Sequence, residues 1–176
     1  DFSNFYYTGK NFHQNDIYKT THDPLNRTSL YPPIFYYMFH KIFCQFIYVD
    51  AFFLHLCFQM TLLILSTFFI LHYYRLALLT IPITLVYCVL LFLTPVGLSW
   101  LERGQCDIYS ALAILWFIFA IYESKNYAFM IAALFASLKW TMMPFFFQSI
   151  IIYLILSKNA QKFSFIFFFI LTITLT

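Results

Sequence analysis

Charge is what this chain has least of. Of its 176 residues only 10% are Asp, Glu, Lys or Arg, against about 25% in ordinary soluble domains. The net charge of +3 is scattered, and no basic run marks a nucleic-acid surface. Glycine is nearly as scarce, with 3 residues. No phosphate loop and no dinucleotide fingerprint occurs, and no site for a soluble nucleotide sugar. The four cysteines, Cys44, Cys57, Cys88 and Cys106, are isolated and never spaced as CxxC. Neither a zinc site nor a disulfide framework is indicated, and they read as small apolar fillers.

Apolar residues take up the difference: 62% of the chain is hydrophobic and 24% aromatic. Apolar runs of about 20 residues are the signature of bilayer spans. They predict an all-α, polytopic transmembrane helical protein. Residues 1–33 form an external loop of catalytic type, 34–48 an interfacial helix, and 49–176 a transmembrane helical domain. The expected spans are about 51–74, 76–98, 108–122, 126–142, 144–157 and 163–176. The chain opens at Asp1 and closes inside an apolar run, so a fragment of a longer protein is expected.

The few polar residues concentrate. Residues 1–33 are punctuated by Gly9, Asn11, Pro24, Pro32 and Pro33. They also carry the tyrosines Tyr6, Tyr7, Tyr18 and Tyr31, a residue type suited to a membrane–water boundary. The turn Ser99–Asp107, SWLERGQCD, gathers Glu102, Arg103 and Asp107 between two apolar runs. Lys139 ends a stretch rich in small residues. Counting sides along the expected spans places the N-terminal loop, this turn and Lys139 on one face. Short turns with Arg75, Lys125, Lys158 and Lys162 fall on the other, which the density of basic residues makes cytoplasmic. A multi-pass protein of the plasma membrane, with its site facing outward, is the expected placement. His55 and Gln59, four residues apart, share a helix face and are expected to satisfy each other or a neighbouring helix.

The order of these motifs is informative. Asp1-Phe2 is followed by Tyr6-Tyr7, Gly9, Asn15-Asp16-Ile17-Tyr18 and Tyr31-Pro32-Pro33, then by Gly104-Gln105 and AALFASLKW ending at Lys139-Trp140. Over most of residues 1–160 this resembles the GT-C type, polyprenol-phosphate-dependent glycosyltransferases, in particular glycosyltransferase family 87 (DUF2029). Trp140 stands where proline is common in that family. The resemblance implies an enzyme that transfers a hexose, mannose in the usual case, from a polyprenyl phosphate donor to a glycan or lipid acceptor at the outer face. It implies Asp1 as the catalytic base, with Asp16 as the second candidate. A carboxylate at that place takes the acceptor hydroxyl proton and stabilises developing positive charge on the sugar. Arg103 and Lys139 are the candidates for the leaving phosphate. Tyr18, Tyr31, Glu102 and Gln105 are the remaining candidate substrate contacts.

No cofactor is implied. A divalent metal held by acids or by His13 and His22 is left open, since no known ligand spacing appears. Expected partners are the lipid-linked donor, the acceptor and membrane lipids, with no nucleic acid. Two other classes compete. A transporter would string polar groups to the midplane of its spans, and a non-catalytic membrane assembly protein would leave the tyrosine-rich loop without a task.

Overall fold

The computed structural model describes residues 2–13, 24–25, 31, 33–139, 144 and 147. In order these form α1 (Phe2–Lys10), α2 (Pro33–Ile42), α3 (Tyr48–Tyr73), a 3-10 turn (Ala77–Leu79), α4 (Thr80–Leu93), α5 (Pro95–Arg103), α6 (Asp107–Glu123) and α7 (Asn126–Ser137). Two units separate, one of residues 1–29 and 36–108, the other of 30–35 and 109–176.

The first unit is built on aromatic rings. Phe2, Phe5 and Tyr6 recur at the spacing of one helix face and are buried in α1. Tyr36, Phe39 and Phe43 do the same along and just past α2. Phe2 meets Phe39 at 5.5 Å and Phe52 of α3 at 5.2 Å, both edge to face, the arrangement ring quadrupoles favour. Polar groups are matched inside this cluster. The Tyr36 hydroxyl donates to Asn4 Oδ1 at 3.1 Å, and His40 Nδ1 donates to the Gly9 carbonyl at 3.0 Å. The Cys44 thiol donates to the Tyr6 carbonyl at 3.4 Å. Burial pushes that thiol up to about 12, which keeps it protonated and unreactive.

In the second unit α6 buries Tyr109, Leu112, Ala113, Trp116, Phe117 and Ala120. Ala128, Ala132 and Ala136 of α7, each four residues from the next, are buried too. Phe117 and Phe129 meet edge to face at 5.6 Å.

With so little glycine, the chain stops two of its helices, α3 and α6, on other residues. Arg75 and Ser124 both adopt left-handed backbone, at φ 62° and 52°. Each is followed by an amide that reaches back five residues: Leu76 to the Leu71 carbonyl at 2.8 Å and Lys125 to the Ala120 carbonyl at 3.2 Å. This is the Schellman stop, which usually places glycine at the left-handed position.

The polytopic expectation is corrected by these elements. Among the described residues one helix, α3, is long and apolar enough to cross a membrane. The stretch expected as a second span is broken at Thr94 and bent by 78°. At 1.5 Å per residue, the 17 residues of α6 and the 12 of α7 reach about 26 and 18 Å, short of a hydrocarbon core of about 30 Å. One face of each is instead used in packing, and three of the α2 rings expected at a membrane surface, Phe35, Tyr36 and Phe39, are buried. The stretches expected as spans at 144–157 and 163–176 lie outside the described residues, apart from the isolated positions 144 and 147. The multi-pass plasma-membrane placement, and the two-sided topology with its outward-facing site, rested on six spans and fall with them.

Candidate functional site

The polar turn after α5 is held from three directions. Trp100, buried in α5, directs its indole Nε1 to Gln59 Oε1 of α3 at 3.3 Å. The Gln59 amide nitrogen in turn donates to the Gln105 carbonyl at 3.0 Å. One side chain thus ties both the helix and the turn that ends it to α3. The same amide nitrogen lies 3.2 Å from His55 Nε2, so the structure pairs the two residues whose spacing put them on one face. His55 is fully buried, with the rings of Phe39 at 4.9 Å and Phe43 at 5.2 Å. Burial pushes its pKa down to about 3, because a charged imidazolium has no water there. It is a neutral structural group at ordinary pH.

Gly104 closes the turn. Its backbone is left-handed, with φ 57° and ψ 42°, and the Gln105 amide reaches back to the Trp100 carbonyl at 3.3 Å. Glycine is required here by space as well as by conformation. A Cβ at this position would lie 2.8 Å from Phe2 Cβ and 2.8 Å from the Phe52 ring. The start of α1 is therefore packed on the turn. Just before it, Glu102 and Arg103 project outward and are exposed. Among the described residues no hydrogen bond or ion pair engages either side chain. Asp107 follows in the first turn of α6, where the helix dipole favours a carboxylate.

Of the residues expected at a shared site, the structure gathers Glu102, Arg103 and Gln105 on this one rigid turn, beside Phe2. Asp1, Asp16 and Tyr18 lie outside the described residues. Tyr31 and Lys139 belong to the second unit. There the Tyr31 ring lies 4.8 Å from Phe35, Phe35 lies 6.4 Å from Tyr109, and Tyr109 stacks on Phe135 at 6.3 Å. Lys139 sits just past α7, its amide on the Ala136 carbonyl at 3.2 Å. The ring of His13 stands edge-on to His40 at 4.7 Å, and His22 lies outside the described residues.

Sequence reasoning missed Trp100, Phe2 and Phe52 as the groups that immobilise the turn. One signal was present: Trp100 precedes Gly104 by four residues, one helical turn, so its side chain shares the last turn of α5 with the stop. The chain matches no protein-family model, no curated protein and no solved structure.

Proposed function

We propose that this chain transfers a hexose from a polyprenyl phosphate donor to a glycan or lipid acceptor, with the Glu102–Asp107 turn as the phosphate site. The observation that carries the reading is an exposed Arg103, engaged by no side chain among the described residues, on a turn held by Gly104, Gln59 and Trp100. A cation on a rigid support is pre-aimed, so little ordering is needed when charge develops on the leaving group. The arginine fork matches two phosphate oxygens at once. Glu102 beside it is placed to orient that fork or to accept from a sugar hydroxyl.

In this reaction the bond from the anomeric carbon to the phosphate oxygen breaks. The acceptor oxygen bonds to that carbon, and its proton passes to a carboxylate. The resemblance assigns that carboxylate to Asp1, with Asp16 second. Phe2 supports the assignment of the N-terminal stretch to the same reaction, because it is the residue after Asp1 and packs on Gly104.

The test is transfer from a labelled polyprenyl phosphate mannose by the wild-type chain and by Arg103→Ala, Arg103→Lys and Glu102→Gln. Removal of a transition-state cation is expected to lower kcat/KM by about 10²–10³-fold, with Arg103→Lys intermediate because it keeps the charge and loses the fork. Turnover of Arg103→Ala equal to that of the wild type would remove the basis of the reading.

A further inference from the structure

The helix α4 is apolar on every side and buries almost nothing. Thr80 is its one buried residue. Ile81, Leu85, Val86, Val89, Leu90, Phe92 and Leu93 are exposed over one half of its circumference, and Leu76, Leu78, Leu79, Val96 and Leu98 continue the surface at either end; the other half faces α3, where the Tyr87 hydroxyl lies 3.2 Å from Thr67 Oγ1. These twelve side chains, 42% to 85% exposed, make an apolar surface on the order of 1,000 Å², against about 300–600 Å² for the largest patch on a typical monomer. No charged side chain occurs from Leu76 to Leu101; Arg75 stands immediately before that stretch, and Glu102 and Arg103 follow it.

Two further features decide what covers it. The arginines at its two ends, Arg75 and Arg103, are matched in charge by the phosphates of a lipid surface and not by a second copy of the same arginine-flanked surface. Part of the break between α4 and α5 is also matched internally. The Thr94 hydroxyl donates to the Leu90 carbonyl and accepts from the Gly97 amide at 3.1 Å. The Leu98 amide bonds the Thr94 carbonyl at 2.9 Å. Pro95 brings no amide hydrogen to the bend. Gly97 lets the two arms close up, since a Cβ there would collide with the backbone of Leu90 and Leu91. A sharp turn with its polar groups matched internally is what hydrocarbon demands of a polypeptide.

We infer that the bent pair from Ala77 to Arg103 docks into one leaflet of an anionic lipid surface, with Thr94 at its deepest point and Arg75 and Arg103 at the phosphates. The geometry sets the depth. The arms of 17 and 9 residues are about 25 and 14 Å long. Bent by 78°, they place the apex about 11 Å below the line joining their outer ends, at the deep end of what interfacial helices reach and less than half of a hydrocarbon core of about 30 Å. This docking enters one leaflet and does not cross. It stands on different residues from the transferase reading, Arg103 excepted, and does not depend on it.

The experiment is flotation of the full chain, diluted from mild detergent, with vesicles of equal parts phosphatidylcholine and phosphatidylglycerol, and with vesicles of phosphatidylcholine alone. The wild type is expected to float with both and more strongly with the anionic ones. Leu93→Glu with Val96→Glu, both exposed and outside the core, is expected to lower partitioning at least about tenfold while far-ultraviolet circular dichroism stays unchanged. Arg75→Glu is expected to abolish the preference for anionic vesicles. In Leu93→Trp, the added emission is expected to be quenched best by lipids brominated in the upper part of the acyl chain.

Equal flotation of the double variant would overturn the proposal. So would quenching that is strongest at the bilayer centre. Concentration-dependent self-association in vesicle-free solution that the double variant abolishes, together with no flotation of the wild type, would assign the face to a second copy instead.

Discussion

Replacing Gln59 with methionine is the sharpest test of how the polar turn is held. The two side chains are similar in length and volume, so packing is nearly conserved. What changes is hydrogen bonding. Gln59 accepts from Trp100 Nε1 at 3.3 Å and donates to the Gln105 carbonyl at 3.0 Å. The substitution removes the designated partner of each. A buried polar group left unmatched costs about 1–3 kcal/mol. The long indole contact belongs at the lower end of that range and the shorter amide contact nearer the middle, so the expected loss is about 3 kcal/mol. With a slope of about 3 kcal/mol per molar guanidinium, the unfolding midpoint moves down by about 1 M. Trp100→Phe removes only the indole donor and is expected to cost about 1–2 kcal/mol. Because both substitutions sever the same contact, their combination is expected to cost less than the sum. Equilibrium denaturation followed by far-ultraviolet circular dichroism measures all three. A Gln59→Met midpoint within experimental error of the wild type would show that the turn is held by packing alone.

His55 gives a pH test. Its folded pKa lies near 3, below its unfolded value of about 6.5, so the unfolded chain binds the additional proton between the two. The contribution is fully present above about pH 6.5 and is lost as pH falls toward 3. By pH 5 the loss amounts to about 2 kcal/mol, and His55→Gln is expected to flatten that part of the stability profile measured by denaturation. Gly104→Ala is expected to destabilise by more than 1 kcal/mol, since left-handed backbone costs alanine about 1 kcal/mol and its methyl meets Phe2 and Phe52 at 2.8 Å. Its effect on the denaturation midpoint should exceed that of an alanine at exposed Glu102. Ser124→Gly acts in the opposite direction. Relief of the left-handed strain is expected to raise stability by about 0.5–1 kcal/mol, read as a higher midpoint.

The sequence and the structure agree most closely where a single residue type has a single physical consequence. The run read as 51–74 is α3, Tyr48–Tyr73. The spacing of His55 and Gln59 placed them together, and Gly104 marked the turn. The polar residues of the 99–107 turn were legible as one group because long apolar runs flank it on both sides.

The arms around Thr94 were not legible as two helices. Pro95 reads from sequence as a tolerated interruption within a span. In the structure it begins a new helix, capped by Thr94, whose hydroxyl accepts from the Gly97 amide. The choice between a kink and a restart depended on Gly97 allowing close approach, which spacing does not encode. The fates of α4 and α6 were not legible either. Both are almost uniformly apolar, and periodicity distinguishes a buried face only where a polar face opposes it. Yet α6 buries eight of its 17 residues within the protein, and α4 one. The anchors of the turn, Phe2 and Phe52, are distant in sequence from Gly104 and were hidden by the abundance of phenylalanine around them.

The three left-handed helix stops share one backbone shape but not one tolerance for change. Arg75 and Ser124 are exposed, so either site can exchange its side chain for asparagine or glycine without disturbing a neighbour. Position 104 has no such latitude, because the volume a side chain would need is already taken by two rings. A saturation library across the chain should therefore accept many residues at two of these corners and almost none at the third. The forbidden corner is the one beside Glu102 and Arg103.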